Sequence, residues 1–220
     1  MATAPLYVFA DGGCVGNGGR APRAAFAAVL AGGPLVGELT LSGPVGNAAY
    51  EWGTDGRLAP SGGEVAPSNN RAELLAIIVG LGAALALAGD SRVEVVSDSL
   101  IAVRTLDEWL PARRRLGTET ALANFDLVAA AECLLVRARA RGPVVLTHVA
   151  GHAPAPPAGA PARARLLHAG NDAADRAASA AIAARMPAAS ATISSPTDFK
   201  LAASACELAP LNISLHTVAD

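Results

Sequence analysis

Four carboxylates, Asp11, Glu73, Asp98 and Asp175, stand where a strand-like run ends or a helix-like run begins. Acidic side chains gathered at such places hold hard divalent cations. Taken singly, each has a structural explanation. Asp11 opens Asp11-Gly12-Gly13, an ordinary turn signal. Glu73 follows Asn70 by three residues, so that Asn70 as N-cap and Glu73 at the third helical position make a capping box. Asp98 lies between an apolar run and a helix, where aspartate is a favoured N-cap. Asp172 and Asp175 are expected in the first turns of a last helix, where the helix dipole favours acids. Taken together, the pattern places all of them at one end of one sheet, which is where open α/β sheets carry their sites. Carboxylates that close repel one another unless cations neutralise them, so the set implies bound metal. Oxygen ligands suit Mg²⁺, with Mn²⁺ as the alternative; two such ions, with coordination positions left for water and phosphate oxygens, would activate the attacking water and stabilise a leaving oxygen.

The elements that must position these groups follow from apolar spacing. Residues 6–10 read as a buried strand ending at Asp11. Residues 24–30 and 35–41 flank Gly32-Gly33-Pro34 as hairpin strands would, giving a three-stranded antiparallel meander. Residues 43–67, rich in Gly and Pro, read as an irregular insertion. Leu74, Ile78, Leu81 and Leu85 recur at helical spacing and predict an amphipathic helix over 71–88. A strand at 92–97, a helix at 99–110, a helix at 124–140 and a strand at 144–149 follow, and this alternation implies parallel pairing. Residues 153–164 carry prolines dense enough to prevent helix and ladder formation, which predicts a mobile loop before a last helix at 171–185. Beyond Pro187 the tail is of uncertain structure, with an alternating piece at 211–218 that either adds a strand or stays disordered.

The chain of 220 residues suits one domain, expected over 1–186 with insertions at 43–67 and 153–168. A formal charge of −2 gives no bulk attraction to a polyanion, and Lys200 is the sole lysine. Phosphate binding must therefore rest on local arginines, with Arg113 to Arg115 and the set Arg137, Arg139 and Arg141 as candidates. Cys14, Cys133 and Cys206 are scattered without metal or disulfide spacing, which predicts an intracellular, reducing compartment, cytoplasm or nucleus. No secretory signal or membrane span is expected, so membranes are not among the expected partners. His148 and His152 have a zinc-like spacing but no cysteine pair beside them.

In ordered motifs the sequence resembles type 1 ribonuclease H. They are Asp11-Gly-Gly-Cys-Val-Gly-Asn17, Ser68-Asn69-Asn70-Arg71-Ala72-Glu73, Ser97-Asp98-Ser99, His148-Val-Ala-Gly-His152, and Gly170-Asn171-Asp172-Ala-Ala-Asp175. The resemblance implies an α/β, ribonuclease H-like fold: a mixed five-stranded sheet, three antiparallel strands then two parallel, flanked by helices. It implies hydrolysis of the RNA strand of RNA/DNA hybrids by a monomer with two Mg²⁺ ions, leaving 5′-phosphate and 3′-hydroxyl ends. By the same resemblance Asp11, Glu73, Asp98 and Asp175 are the catalytic metal ligands, Asp175 taking the fourth place over Asp172. His152 assists proton transfer or product release, a task suited to imidazole near neutral pH. Asn17 and Asn69 resemble residues that contact the DNA strand, and Ser68 and Asn124 residues that contact a DNA phosphate. Backbone groups near these turns would read the RNA 2′-hydroxyls. A basic protrusion is faint, as Trp109 followed by Arg113 to Arg115, and Arg163 and Arg165 in the second insertion are candidate substrate contacts. A separate hybrid-binding domain found in some members is not expected, since the first strand begins near Met1.

Two other readings compete: a DNA-directed nuclease of the same superfamily, and a non-catalytic nucleic-acid-binding module. Asn17 and the Asn69 to Glu73 motif argue against the first, and the complete carboxylate set against the second.

Overall fold

The computed structural model describes residues 4–35, 37–52, 58–89, 91–186, 190–193 and 214–217. Its first strand does not stop at Asp11. β1 spans Leu6–Val15 and pairs antiparallel with β2, Arg23–Gly32, along its whole length, Leu6 opposite Gly32 and Val15 opposite Arg23. The expected turn at Asp11-Gly12-Gly13 is thus strand, because β2 supplies hydrogen-bond partners past the glycines. β3, Glu38–Pro44, completes the meander.

On the other side of β1 lie β6, Val93–Ser97, and β7, Val144–His148, each parallel to its neighbour. The five strands run β7-β6-β1-β2-β3, the mixed sheet that the motifs imply. Two short tail strands, β8 at Ser190–Ile193 and β9 at Ser214–Thr217, extend the same sheet beyond β3. Part of the alternating tail piece is therefore strand; the rest of it lies outside the described residues.

Helices cover both faces. α1, Asn69–Leu87, packs its side chains against Leu6, Val8, Ala10, Phe26 and Ala28 of the sheet, with α4, Phe125–Arg139, stacked outside it. α5, Ala162–Ala184, covers the opposite face through Phe9, Val29, Val96, Leu167 and Ala174. The alternation of Val8 and Ala10 against Phe9 and Asp11 follows from the period of two along a strand. α1 is not amphipathic as expected. Sheet on one side and α4 on the other bury nearly every residue from Arg71 to Ala84, so both of its faces are apolar. By length and composition α1 could cross a membrane, but 83% of its apolar window is buried inside this protein.

Three further expectations change. The 43–67 insertion holds an antiparallel hairpin, β4 at Ala48–Trp52 and β5 at Leu58–Glu64. The helix expected at 99–110 is α2, Leu100–Arg104, a π-helical turn over Thr105–Trp109, and α3, Leu110–Leu116. Pro111 explains the wide turn, since it lacks the N–H and crowds the carbonyl four residues back. α5 begins at Ala162, right after Pro161, which leaves Asp172 and Asp175 mid-helix rather than in a first turn. The alanine-rich stretch after the last proline has high helix propensity, and that outweighs the prolines before it.

Candidate active site

Strand register does most of the positioning. The last parallel pair between β1 and β6 is Ala10 with Ser97, and Ser97 also faces His148 on β7. One residue further, β6 and β7 have ended while β1 continues against β2. Asp11 and Asp98 therefore emerge side by side where neighbouring strands are about 4.8 Å apart. The turn after β6 is held by Ser99 N–H donating to Ser97 Oγ at 3.1 Å. Glu73 comes from the first turns of α1, which can reach β1 only because position 12 is glycine; a Cβ there would collide with the Ala72 and Glu73 backbone. Carboxylate oxygens of Asp11, Glu73 and Asp98 consequently lie within 4.8 Å of one another. Asp175 from α5 and His152 from the loop after β7 join them along a cleft of about 500 Å³.

The site is electrostatically incomplete. Asp11 and Glu73 are 6% and 4% exposed. Burial, then the charges of Asp98 and Asp175, push the Asp11 carboxyl up to about 7. Burial, then Asp11 and Asp98, push Glu73 up to about 9. The Gly12 N–H opposes both shifts, and the Asn69 side chain, donating to Glu73 Oε1 at 3.4 Å, opposes the second. Glu73 Oε2 is buried with no hydrogen-bond partner among the described residues. A buried acceptor left without a donor, beside carboxylates of the same charge, matches a hard cation as the missing partner. The donor set therefore fits Mg²⁺ or Mn²⁺, with Asp11, Glu73 and Asp98 closest together and Asp175 at the margin.

The family model for RNase H matches residues 3–183. The chain belongs to the RNase H family. A search of curated proteins found no match. Among solved structures it is similar to LC9-RNase H1, a type 1 RNase H with the type 2 active-site motif, at 20% identity and a TM-score of 0.58 over 100% of this chain and 90% of that one. It is likewise similar to the RNase H domain of prototype foamy virus, at 18% identity and a TM-score of 0.57 over 84% of this chain and 96% of that one. Identities this low carry the fold.

Within this RNase H chain the remaining predicted residues separate into two groups. Asn17 and Asn69 come together, Asn17 Oδ1 accepting from the Asn69 N–H at 3.4 Å, and Asn69 lines the cleft beside Glu73. His152 is exposed at the cleft mouth with a left-handed φ of 48°. Ser68 and Asn124 lie away from the carboxylates. Ser68, not Asn70, is the N-cap of α1, its Oγ accepting from Arg71 N–H at 3.4 Å, so Glu73 belongs to no capping box and its carboxylate faces the cleft. Asn124, with φ of 56°, precedes α4 and accepts from Arg71 Nη1 at 3.4 Å.

Half of the arginines in the two patches, Arg114, Arg139 and Arg141, are engaged internally. Arg114 binds Glu132 at 2.5 Å and Glu119 at 2.9 Å, and Arg139 pairs with Asp107 at 3.6 Å. Arg141 donates to the Leu85 carbonyl. Arg163 pairs with the buried Glu94, and Arg165 donates to the Ala158 and Ala160 carbonyls, so both hold the second insertion in place. Arg113, Arg115 and Arg137 are exposed.

Two features escaped the sequence reading. Asn171, 6% exposed, donates through Nδ2 to Asp98 Oδ2 at 3.4 Å and so orients that carboxylate. It stands in the Gly170 to Asp175 motif, where nothing in the local pattern marks it as the partner of Asp98. Arg71 is 1% exposed and forms a two-pronged pair with Asp126, Nη1 to Oδ1 at 3.0 Å and Nη2 to Oδ2 at 2.7 Å. Nothing in the local pattern of Asp126 marks it as the partner, since 55 residues separate the two.

Proposed function

We propose that this protein hydrolyses the RNA strand of RNA/DNA hybrids as a metal-dependent endonuclease, leaving 5′-phosphate and 3′-hydroxyl ends. The observation that carries the reading is the triad of buried Asp11, buried Glu73 and half-buried Asp98, mutually repelling and partly without donors, in a chain of the RNase H family. Asp11, Glu73, Asp98 and Asp175 would hold two Mg²⁺ ions, with Mn²⁺ as a substitute. When bound, the ions would lower the pKa of water and stabilise charge on the phosphodiester oxygens.

The protein's own groups prepare for this. The raised carboxyls of Asp11 and Glu73 mean that cations bind in competition with protons near neutral pH, so loading depends on pH. Asn69 fixes Glu73 and Asn171 fixes Asp98, restricting the carboxylates to one arrangement. An imidazole nitrogen of His152 at the cleft mouth exchanges a proton with the departing oxygen or its water. Asn17 and Asn69 contact the DNA strand, and Ser68 and Asn124 the approach of its phosphate, while nearby backbone groups read the 2′-hydroxyls that distinguish RNA.

A strand-specific assay tests this. Hybrid, duplex DNA and duplex RNA, each end-labelled, are incubated with Mg²⁺ and either the wild type or Asp98→Asn. Cleavage confined to the RNA of the hybrid, and lost in the variant, supports the reading. An intact hybrid overturns it, and preferential cutting of duplex DNA would replace it with a DNA-directed nuclease.

A further inference from the structure

α5 runs past the carboxylate cleft and ends at a second depression. Asp175 and Ser179 line the cleft, and about one turn further on Ile182 and Arg185 line a cavity of about 220 Å³. Its other walls include Arg23 at the start of β2, Asn47 and Pro67 from the two ends of the first insertion, and Met186. The two spaces adjoin: Gly13 lines the cleft, and a Cβ on it would lie 2.9 Å from Ile182 Cδ1. Arg185 follows Asp175 by ten residues along one helix, so the cavity opens roughly 15 Å from the carboxylates.

Charge, backbone and donor chemistry point to the same kind of ligand. Arg23 and Arg185 are exposed, neither has an acidic partner among the described residues, and no described carboxylate lines the cavity. Arg71, Arg114 and Arg163, by contrast, all meet acids of the chain itself. Two cations brought to one small cavity repel each other until an anion sits between them. Arg185 is also held at a cost. It caps α5 in the left-handed region, with φ of 50° and ψ of 48°, where helices commonly place glycine and any side chain is strained. Strain of this kind gathers where a side chain has a task. The donors are two planar guanidinium forks and the exposed Asn47 amide, a set that matches phosphate oxygens. A chain of net charge −2 must grip a polyanion through such local cations, and this pair adjoins the cleft where the polyanion would lie.

We infer that Arg23 and Arg185 together hold one backbone phosphate of the substrate duplex, away from the reacting phosphodiester, and so fix how the duplex lies across the cleft. The inference rests on the hybrid-cleaving reading for the identity of the duplex, though not for the existence of the phosphate site.

Binding of an RNA/DNA hybrid is measured over a series of KCl concentrations on the full chain carrying Asp98→Asn, so that bound substrate stays intact. Adding Arg23→Gln and Arg185→Gly should weaken binding about tenfold, the scale of lost charge-assisted hydrogen bonds. It should also lower the slope of log affinity against log salt by about 1, the share of one phosphate contact. Arg92→Gln removes a like charge just before β6, at the opposite end of the sheet, and should leave the slope unchanged. Glycine takes the left-handed region without strain, so Arg185→Gly alone should not lower the melting temperature, and weaker binding is then not a folding defect. Hybrids bearing a single uncharged methylphosphonate, moved stepwise along each strand, locate the contact. One position should cost the parent protein about tenfold and the double variant nothing. An unchanged salt slope, an equal change in Arg92→Gln, or a methylphosphonate penalty retained by the double variant would each overturn the phosphate site. The expected loss of slope, with hybrid left uncut by the wild type, would instead remove the hybrid-cleaving reading and leave the site standing.

Discussion

Two buried charged clusters flank the start of α1, two residues apart in sequence, and they are built on opposite rules. Arg71 is compensated on all sides but its Nε, which has no partner among the described residues: a two-pronged pair with Asp126, an Nη2 donation to the Ala48 carbonyl at 3.0 Å, Asn124 beside it, and the Tyr50 ring 5.7 Å away. Burial pushes the Asp126 carboxyl up, but hydrogen bonds from Arg71 and from the Tyr50 N–H outweigh it and the net shift is downward. Glu73 has like charges for company, only partly offset by the Gly12 N–H and by Asn69 at 3.4 Å, and its pKa is pushed up to about 9. The first cluster joins α1, α4 and the β4–β5 hairpin. The second weakens the fold that carries it, and such an arrangement makes physical sense when a ligand completes it.

The sharpest way to test the contrast is to neutralise one member of each cluster. Asp11→Asn should lower hybrid cleavage at least about 10³-fold, the scale on which members of a cooperating catalytic set are lost. The same change should raise the melting temperature of the metal-free protein at pH 8, because it removes a buried like charge; a lower melting temperature would mean that the carboxylate is structural. Asp126→Ala should do the reverse, destabilising the fold by about 3–5 kcal/mol in urea titration by leaving Arg71 buried and unpaired. Adding Arg71→Met to Asp126→Ala should recover part of that loss, and strict additivity of the two would deny their coupling.

Smaller effects refine the picture. Asn171→Ala should reduce cleavage about 10- to 100-fold, as loss of a group orienting a metal ligand does, while leaving the urea midpoint nearly unchanged. An equal loss of stability would assign Asn171 to packing instead. Finally, the clusters should respond to pH with opposite signs. The raised carboxyls of Asp11 and Glu73 make the native state bind more protons than the unfolded chain between about pH 4 and 9, so metal-free stability falls as pH rises through that window. Asp126, with its pKa lowered, contributes stability that is lost in acid. Melting curves from pH 3 to 9 with chelator should thus show a maximum at mildly acidic pH, and Mg²⁺ should restore stability on the alkaline side. A flat alkaline limb would show that Asp11 and Glu73 are not desolvated as the geometry implies.

How much of this was legible beforehand follows from the range of each interaction. The strands and the long helices were readable because apolar periodicity is a local signal. The β4–β5 hairpin was not, since Ala48–Trp52 and Leu58–Glu64 have little strand character and the hairpin docks through Tyr50 N–H, which donates at 3.0 Å to Asp126 on distant α4. The start of α5 at Ala162 is hidden by the prolines at 154, 156, 157 and 161, whose disruption ends at Pro161, where the helix-forming alanines, leucines and arginines take over. The cap of α1 was assigned to Asn70 on spacing alone, whereas the chain enters the helix at Ser68.

The sequence by itself determined the types of residue available for chemistry: four carboxylates in order, accompanied by Asn17, Asn69 and His152, although Asp11 proved to lie within β1 and Asp175 within α5 rather than at their ends. Local pattern suffices for that, because strand ends, helix starts and motif spacing are properties of neighbouring residues. Only the tertiary structure decided which of these groups share a volume and in what electrical state. The parallel register of Ala10 with Ser97, the close approach allowed by Gly12, and the Asn171 contact to Asp98 join positions separated by up to 87 residues. Burial and mutual charge then act on Asp11 and Glu73 through space, and no spacing along the chain encodes that distance.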